Sequence, residues 1–150
     1  MTRSIVEQAH DMYDAVPYEV PVPDESLYGL LDDAARLYPD RVALDYFGAT
    51  TTYAQVRDQV QKAARVLHEA GVGPGDTVAI ALPNCPQAFV AFYACMRIGA
   101  IAAQHNPLAP ASEIAGQLGR HGGKVAIVWE KCVDAYPLGV LDTVFTVDIS

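Results

Sequence analysis

Thr77-Val-Ala-Ile-Ala-Leu82 is an unbroken apolar run with no polar alternation. A strand of that kind is buried on both faces, which requires helices on both sides of a mostly parallel sheet. The next segments obey the same logic. Pro86 opens a helix from Gln87 to Ile98 that is apolar nearly all round, so burial on both sides is expected for it. Gly99 ends the helix, and Ala100 to Ala103 reads as a short strand. Pro110 to Arg120 is a polar-faced helix, and Lys124 to Trp129 and Asp142 to Val147 are two more strands. Glu130 to Gly139 between them is weakly patterned. Strand and helix thus alternate, the signature of an α/β sheet built with right-handed crossovers.

The segment before this alternation is different. Ser26 is a candidate N-cap for a helix carrying Leu27, Leu30, Leu31, Ala34, Ala35 and Leu37 at helical spacing, stopped at Tyr38-Pro39. Arg41 to Phe47, the turn residue Gly48 and Thr50 to Tyr53 read as a small β-hairpin. Thr52 and Gln55 have capping-box spacing and open the clearest helix of the chain. Val56, Val60, Ala63, Ala64 and Leu67 form its apolar stripe, and Gly71 is its left-handed stop. Residues 1–25 are polar and acidic, with prolines at 17, 21 and 23, and are expected to form an extended N-terminal arm.

Composition removes several function classes. Ten Lys and Arg against 18 Asp and Glu leave a net charge of −8, which repels phosphate backbones and disfavours nucleic acid as a partner. The longest apolar run, Ala88 to Met96, is nine residues, far below the roughly 20 a membrane-spanning helix needs. No membrane span is therefore expected, although peripheral contact stays compatible with the sequence. No secretory signal pattern opens the chain, and Cys85, Cys95 and Cys132 lack paired spacing. A cytoplasmic protein with reduced thiols is the expectation.

Chemistry-bearing constellations are scarce. Gly71-Val-Gly-Pro-Gly75 has the glycines of a phosphate loop but leaves a helix and enters a strand, the reverse of what phosphate binding at a helix N-terminus requires. A helix cap followed by a turn accounts for it. His10, His68, His105 and His121 form no metal-ligand spacing, and His121 sits at a helix end where a cation would complement the dipole. Cys95 reads as core and Cys85 as a helix cap. The best candidate is the loop His105-Asn106-Pro107-Leu108, because it leaves a strand at the edge where α/β sheets place their ligands.

Five segments in register resemble the N-terminal part of the adenylate-forming superfamily, and most closely its long-chain fatty acyl-CoA ligases. They are Thr51–Val56, the Gly71-to-Asn84 turn and strand, Phe92–Ala100, Gln104–Leu108, and Glu113 with Gln117-Leu118. The resemblance implies the acyl-CoA synthetase-like fold, an α/β architecture, of which 26–150 would be the first, incomplete part of the AMP-binding N-terminal domain. It implies a parent enzyme that uses ATP and Mg2+ to convert a fatty acid into an acyl-adenylate and then transfers the acyl group to CoA. His105, Asn106, Pro107 and Leu108 would lie near the acyl or CoA channel.

In the family pattern the phosphate loop, the nucleotide contacts, the magnesium-binding Glu and the C-terminal-domain Lys all come after position 150. No catalytic, cofactor or metal residue is therefore expected here, and the fragment alone is expected to be inactive and to bind none of the cofactors. Departures from the pattern are Gln55-Val56 in place of Glu-Leu, and His105 before Asn106. Two alternatives stay open: another adenylate-forming enzyme (an aryl-CoA ligase or a peptide-synthetase adenylation domain), or a stand-alone non-catalytic binding or assembly module. The chain stops directly after a strand, so exposed apolar surface and self-association of the fragment are expected.

Overall fold

A computed structural model of the chain describes residues 24–149, together with Ile5, Pro21 and Val22. The arm expected over 1–25 lies, apart from these few positions, outside the described residues. Helix α1 spans Leu27–Leu37, and the Ser26 hydroxyl caps it by accepting from the Gly29 amide. Strands β1 (Val42–Tyr46) and β2 (Ala49–Thr52) form an antiparallel hairpin apart from the main sheet. Its turn holds Phe47 at φ 51° and Gly48 at φ 86°.

Helix α2 spans Tyr53–Glu69 behind a complete capping box. The Gln55 amide donates to Thr52 Oγ1 at 3.3 Å, and the Thr52 amide donates to Gln55 Oε1 at 2.9 Å. Gly71, at φ 86°, ends the segment, and the Val72 amide donates to the Leu67 carbonyl. The chain then enters β3 (Thr77–Ala81), α3 (Pro86–Arg97), β4 (Ile101–Gln104), α4 (Ala111–His121), β5 (Val125–Trp129) and β6 (Thr143–Val147). Between the last two strands, the stretch with weak sequence pattern holds a 3-10 segment, Glu130–Ala135.

The main sheet has the order β4-β3-β5-β6, and all its strand pairs are parallel. Its two faces carry separate cores. Val78, Ile80, Val125 and Ile127 pack with Ala64 and Leu67 of α2 and Ala91, Ala94 and Cys95 of α3. Ala79, Ala81, Ala126 and Val128 pack with Ile114 and Leu118 of α4, and with Tyr136 and Leu141. The unbroken apolar run over β3 is thus explained by burial on both faces. A third, smaller core of Leu31, Val56 and Val60 joins α1 to α2. Arg97 lies over the Tyr28 ring at 4.6 Å and links α1 to α3.

Helix α3 departs from the sequence expectation of burial on both sides. Only Ala91, Ala94 and Cys95 within it are buried, while Phe89, Val90, Phe92 and Tyr93 are half-buried. The sheet and α2 cover part of its circumference, and the remaining apolar faces border two open cavities.

Candidate functional site

Strand β3 runs into α3 on one face of the sheet, and its neighbour β4 runs into α4 on the other. Adjacent strands whose chains part in this way leave a crevice beyond their carboxyl ends, the usual ligand position in open α/β sheets. Here that edge borders a cavity of about 500 Å³. Asn84 and Cys85 after β3, and Gln104 at the end of β4, form one side of it. Leu44, Asp45 and Tyr46 of the hairpin form another, and Phe89, Phe92 and Tyr93 of α3 complete the wall. Phe89 stacks on Tyr93 with centroids 4.5 Å apart, and Phe92 meets Tyr93 edge-on at 5.5 Å. Asp45 Oδ1 accepts the Gly48 amide at 2.9 Å and is tied into the hairpin turn. The cavity therefore offers aromatic rings and two amides rather than a paired acid and base.

The structure divides the four residues of the predicted loop. Asn106 Oδ1 accepts the Leu108 amide at 3.0 Å, so Asn106 shapes its own turn. Leu108 is 78% exposed. His105 is 7% exposed, the one buried polar or charged side chain among the described residues. Its Nδ1 lies 3.0 Å from the Tyr136 hydroxyl and its Nε2 lies 3.0 Å from Nε2 of His121. Burial pushes the His105 pKa below its ordinary value, and the neighbouring His121 and Arg120 add to that shift. The His121 pKa is also lowered, by burial and then by Arg120. His121 Nδ1 accepts the Gly123 amide at 3.0 Å, which calls for a neutral ring. The dipole-complementing cation read from its place at a helix end is thus not what the geometry favours.

Sequence reasoning missed two parts of this arrangement. Tyr136 lies in the weakly patterned stretch, where no periodicity marked it. Phe89, Phe92 and Tyr93 lie in a near-continuous apolar run, which reads as core and conceals a cavity wall. Cys132 is half-buried, and its Sγ approaches the Trp129 carbonyl at 3.2 Å. Burial raises its pKa. Among the described residues no group of three or more His, Cys, Asp or Glu could hold a metal ion, and no helix is long and apolar enough to cross a membrane.

Comparison with known proteins gives a consistent picture. The family model described as AMP-binding enzyme matches residues 31–148. A long-chain-fatty-acid–CoA ligase of Bacillus subtilis is 36% identical over 103 residues, covering 69% of this chain and 18% of that protein. A salicyl-AMP ligase / salicyl-S-ArCP synthetase of Mycobacterium tuberculosis is 39% identical over 90 residues, covering 57% and 16%. Among solved structures, the NpsA N-terminal subdomain of Klebsiella oxytoca, in complex with anthranilyl-AMSN, superposes with a TM-score of 0.73 at 28% identity. The match covers 81% of this chain and 31% of that one. The chain thus spans less than a fifth of the length of these two curated relatives.

Proposed function

The chain belongs to the AMP-binding enzyme family, and from that premise we propose that it is the first part of a longer fatty acid–CoA ligase. Residues 26–150 would open the AMP-binding N-terminal domain, with 1–25 as an arm preceding it. In the proposed reaction the acid's carboxylate attacks the α-phosphorus of ATP, forming an acyl-adenylate and releasing pyrophosphate. The CoA thiolate then attacks the acyl carbon, and AMP leaves with the bonding electrons. Activation is needed because AMP is a far better leaving group than oxide.

The described residues do not fit the triphosphate or Mg2+. The glycine turn at 71–75 leads from a helix into a strand, and no acidic cluster is present among them. We therefore assign none of them to ATP or Mg2+. What this chain contributes is the wall of a ligand channel. The single observation that carries the fatty-acid reading is the aromatic cavity at the carboxyl edge of the sheet, and the likeness to the Bacillus subtilis ligase supports it. The His105–Leu108 loop, with Gln104 beside it, would flank the acyl or CoA channel. Replacing Gln104 by Ala in the intact enzyme tests this placement: a raised KM for acid or CoA with KM for ATP unchanged supports it. Unchanged values for all three remove the loop from the channel.

A second reading, an enzyme that activates aromatic acids, is favoured by the salicyl-AMP ligase and by the structure carrying an anthranilyl group. Acid-dependent pyrophosphate exchange with long-chain and aromatic acids separates the two. Taken alone, the 150-residue chain is expected to self-associate through half-buried apolar residues such as Val90, Phe145 and Val147 at the second cavity. A concentration-independent monomer in sedimentation would contradict this.

A further inference from the structure

The imidazole pair of buried His105 and half-buried His121 has a definite proton order, set from one end. The Gly123 amide can only donate, so His121 Nδ1 accepts and the neutral ring carries its proton on Nε2. That proton points at His105 Nε2, 3.0 Å away, which must then accept. His105 is left with its proton on Nδ1, directed at the Tyr136 hydroxyl oxygen at 3.0 Å. The chain Gly123 → His121 → His105 → Tyr136 links the start of β5, the end of α4, the loop after β4 and the residue beyond the 3-10 segment.

We propose that this chain makes His105 a positioning residue, which holds the loop that follows Gln104 at the cavity edge only while both imidazoles are neutral. A proton added to His121 Nδ1 would face the Gly123 N–H, and one added to His105 Nε2 would face the His121 N–H. Either event turns a hydrogen bond into a contact between two donors. Burial and the cationic Arg120 on α4 resist such a proton, and the outer ring nitrogens of His105 and His121 meet the Tyr136 hydroxyl and the Gly123 amide rather than a carboxylate. Once the chain breaks, the side-chain anchor of the loop is gone, leaving the His105 amide bond to the Ile80 carbonyl at its base. The consequence for the cavity rests on the function proposed above, whereas the proton order does not.

Nitrogen NMR of the histidine rings tests the proton order without any substrate. At pH 7.5 His121 is expected as the Nε2–H tautomer and His105 as the Nδ1–H tautomer. Both rings as Nε2–H, or either ring cationic at that pH, would overturn the proposal. On acidification through pH 6 to 4, the Leu108 backbone amide and the Gln104 side-chain amide are expected to shift together with the two rings. Rings that titrate while these amides stay still would overturn the positioning role. His121→Gln removes the middle of the chain; His105 is then expected to populate both tautomers, with amide exchange at Leu108 and Ala109 about tenfold faster, the scale of one lost hydrogen bond. Should His121→Gln fail to fold, Tyr136→Phe serves: the His121 tautomer is expected to persist while the His105 Nδ1 proton loses its downfield hydrogen-bonded shift. An unchanged His105 signal in Tyr136→Phe would contradict the assigned order. Failure of acid-dependent activation would strike the proposed function and leave these readouts intact.

Discussion

A Cβ placed on Gly123 would lie 2.5 Å from the Thr77 carbonyl oxygen and 3.0 Å from His121 Nδ1. The link from α4 into β5 therefore runs against the start of β3 with no room for a side chain. Gly123→Ala is expected to lower stability by about 1–3 kcal/mol, because backbone rather than a flexible side chain must give way. Its neighbour Gly122 has open space around it but a φ of 66°, so Gly122→Ala is expected to lose about 1 kcal/mol through backbone strain alone. Gly122→Asn should recover part of that, since Asn tolerates the left-handed region. Urea unfolding of the three variants checks the order.

The capping box at the start of α2 makes a separate stability prediction. Thr52→Ala removes the acceptor of the Gln55 amide and is expected to lose about 1 kcal/mol, while Thr52→Ser should lose less. The same unfolding measurement at neutral pH reads both.

Stability is also expected to fall in mild acid. His105 and His121 have folded pKa values below the ordinary 6.5. As pH drops through 6.5 the unfolded chain takes up protons before the folded one does, so stability decreases below 6.5. This contribution levels off once the folded rings are themselves protonated. His105→Gln combined with His121→Gln should flatten that part of the profile, measured by urea unfolding between pH 7.5 and 4.5.

Burial raises the Cys95 pKa to about 11 and also raises that of Cys132. With iodoacetamide at pH 8, Cys95 is expected to stay unmodified in the native protein and to react at an ordinary thiol rate in urea. Peptide mass mapping reads the site of modification.

The fold was legible wherever one local signal sufficed. The unbroken run over β3, the Thr52–Gln55 box and the stop at Gly71 each announce their element, and the structure shows all three. Strand edges moved by a residue or two: the expected Arg41–Phe47 is Val42–Tyr46, and Ala100–Ala103 is Ile101–Gln104. The candidate site was less legible, for a physical reason. His105, His121 and Tyr136 are 16 and 31 residues from one another along the pairs that bond, and tertiary packing alone brings them together. Near-continuous apolarity in α3 likewise cannot distinguish a ring in a core from a ring on a cavity wall. Loop position pointed to the carboxyl edge of the sheet, where His105 turns inward to Tyr136 while Gln104 lines the cavity.

These residues are proposed to open a longer enzyme that activates a fatty acid. The most direct measurement is ATP–pyrophosphate exchange by the intact protein purified from its source cells, with palmitate, acetate and salicylate offered separately. Exchange is expected to depend on palmitate and to exceed that with the other two acids by at least about tenfold. Exchange led by salicylate or acetate would contradict the fatty-acid assignment. An intact protein of only 150 residues with no exchange on any acid would contradict the enzyme reading itself.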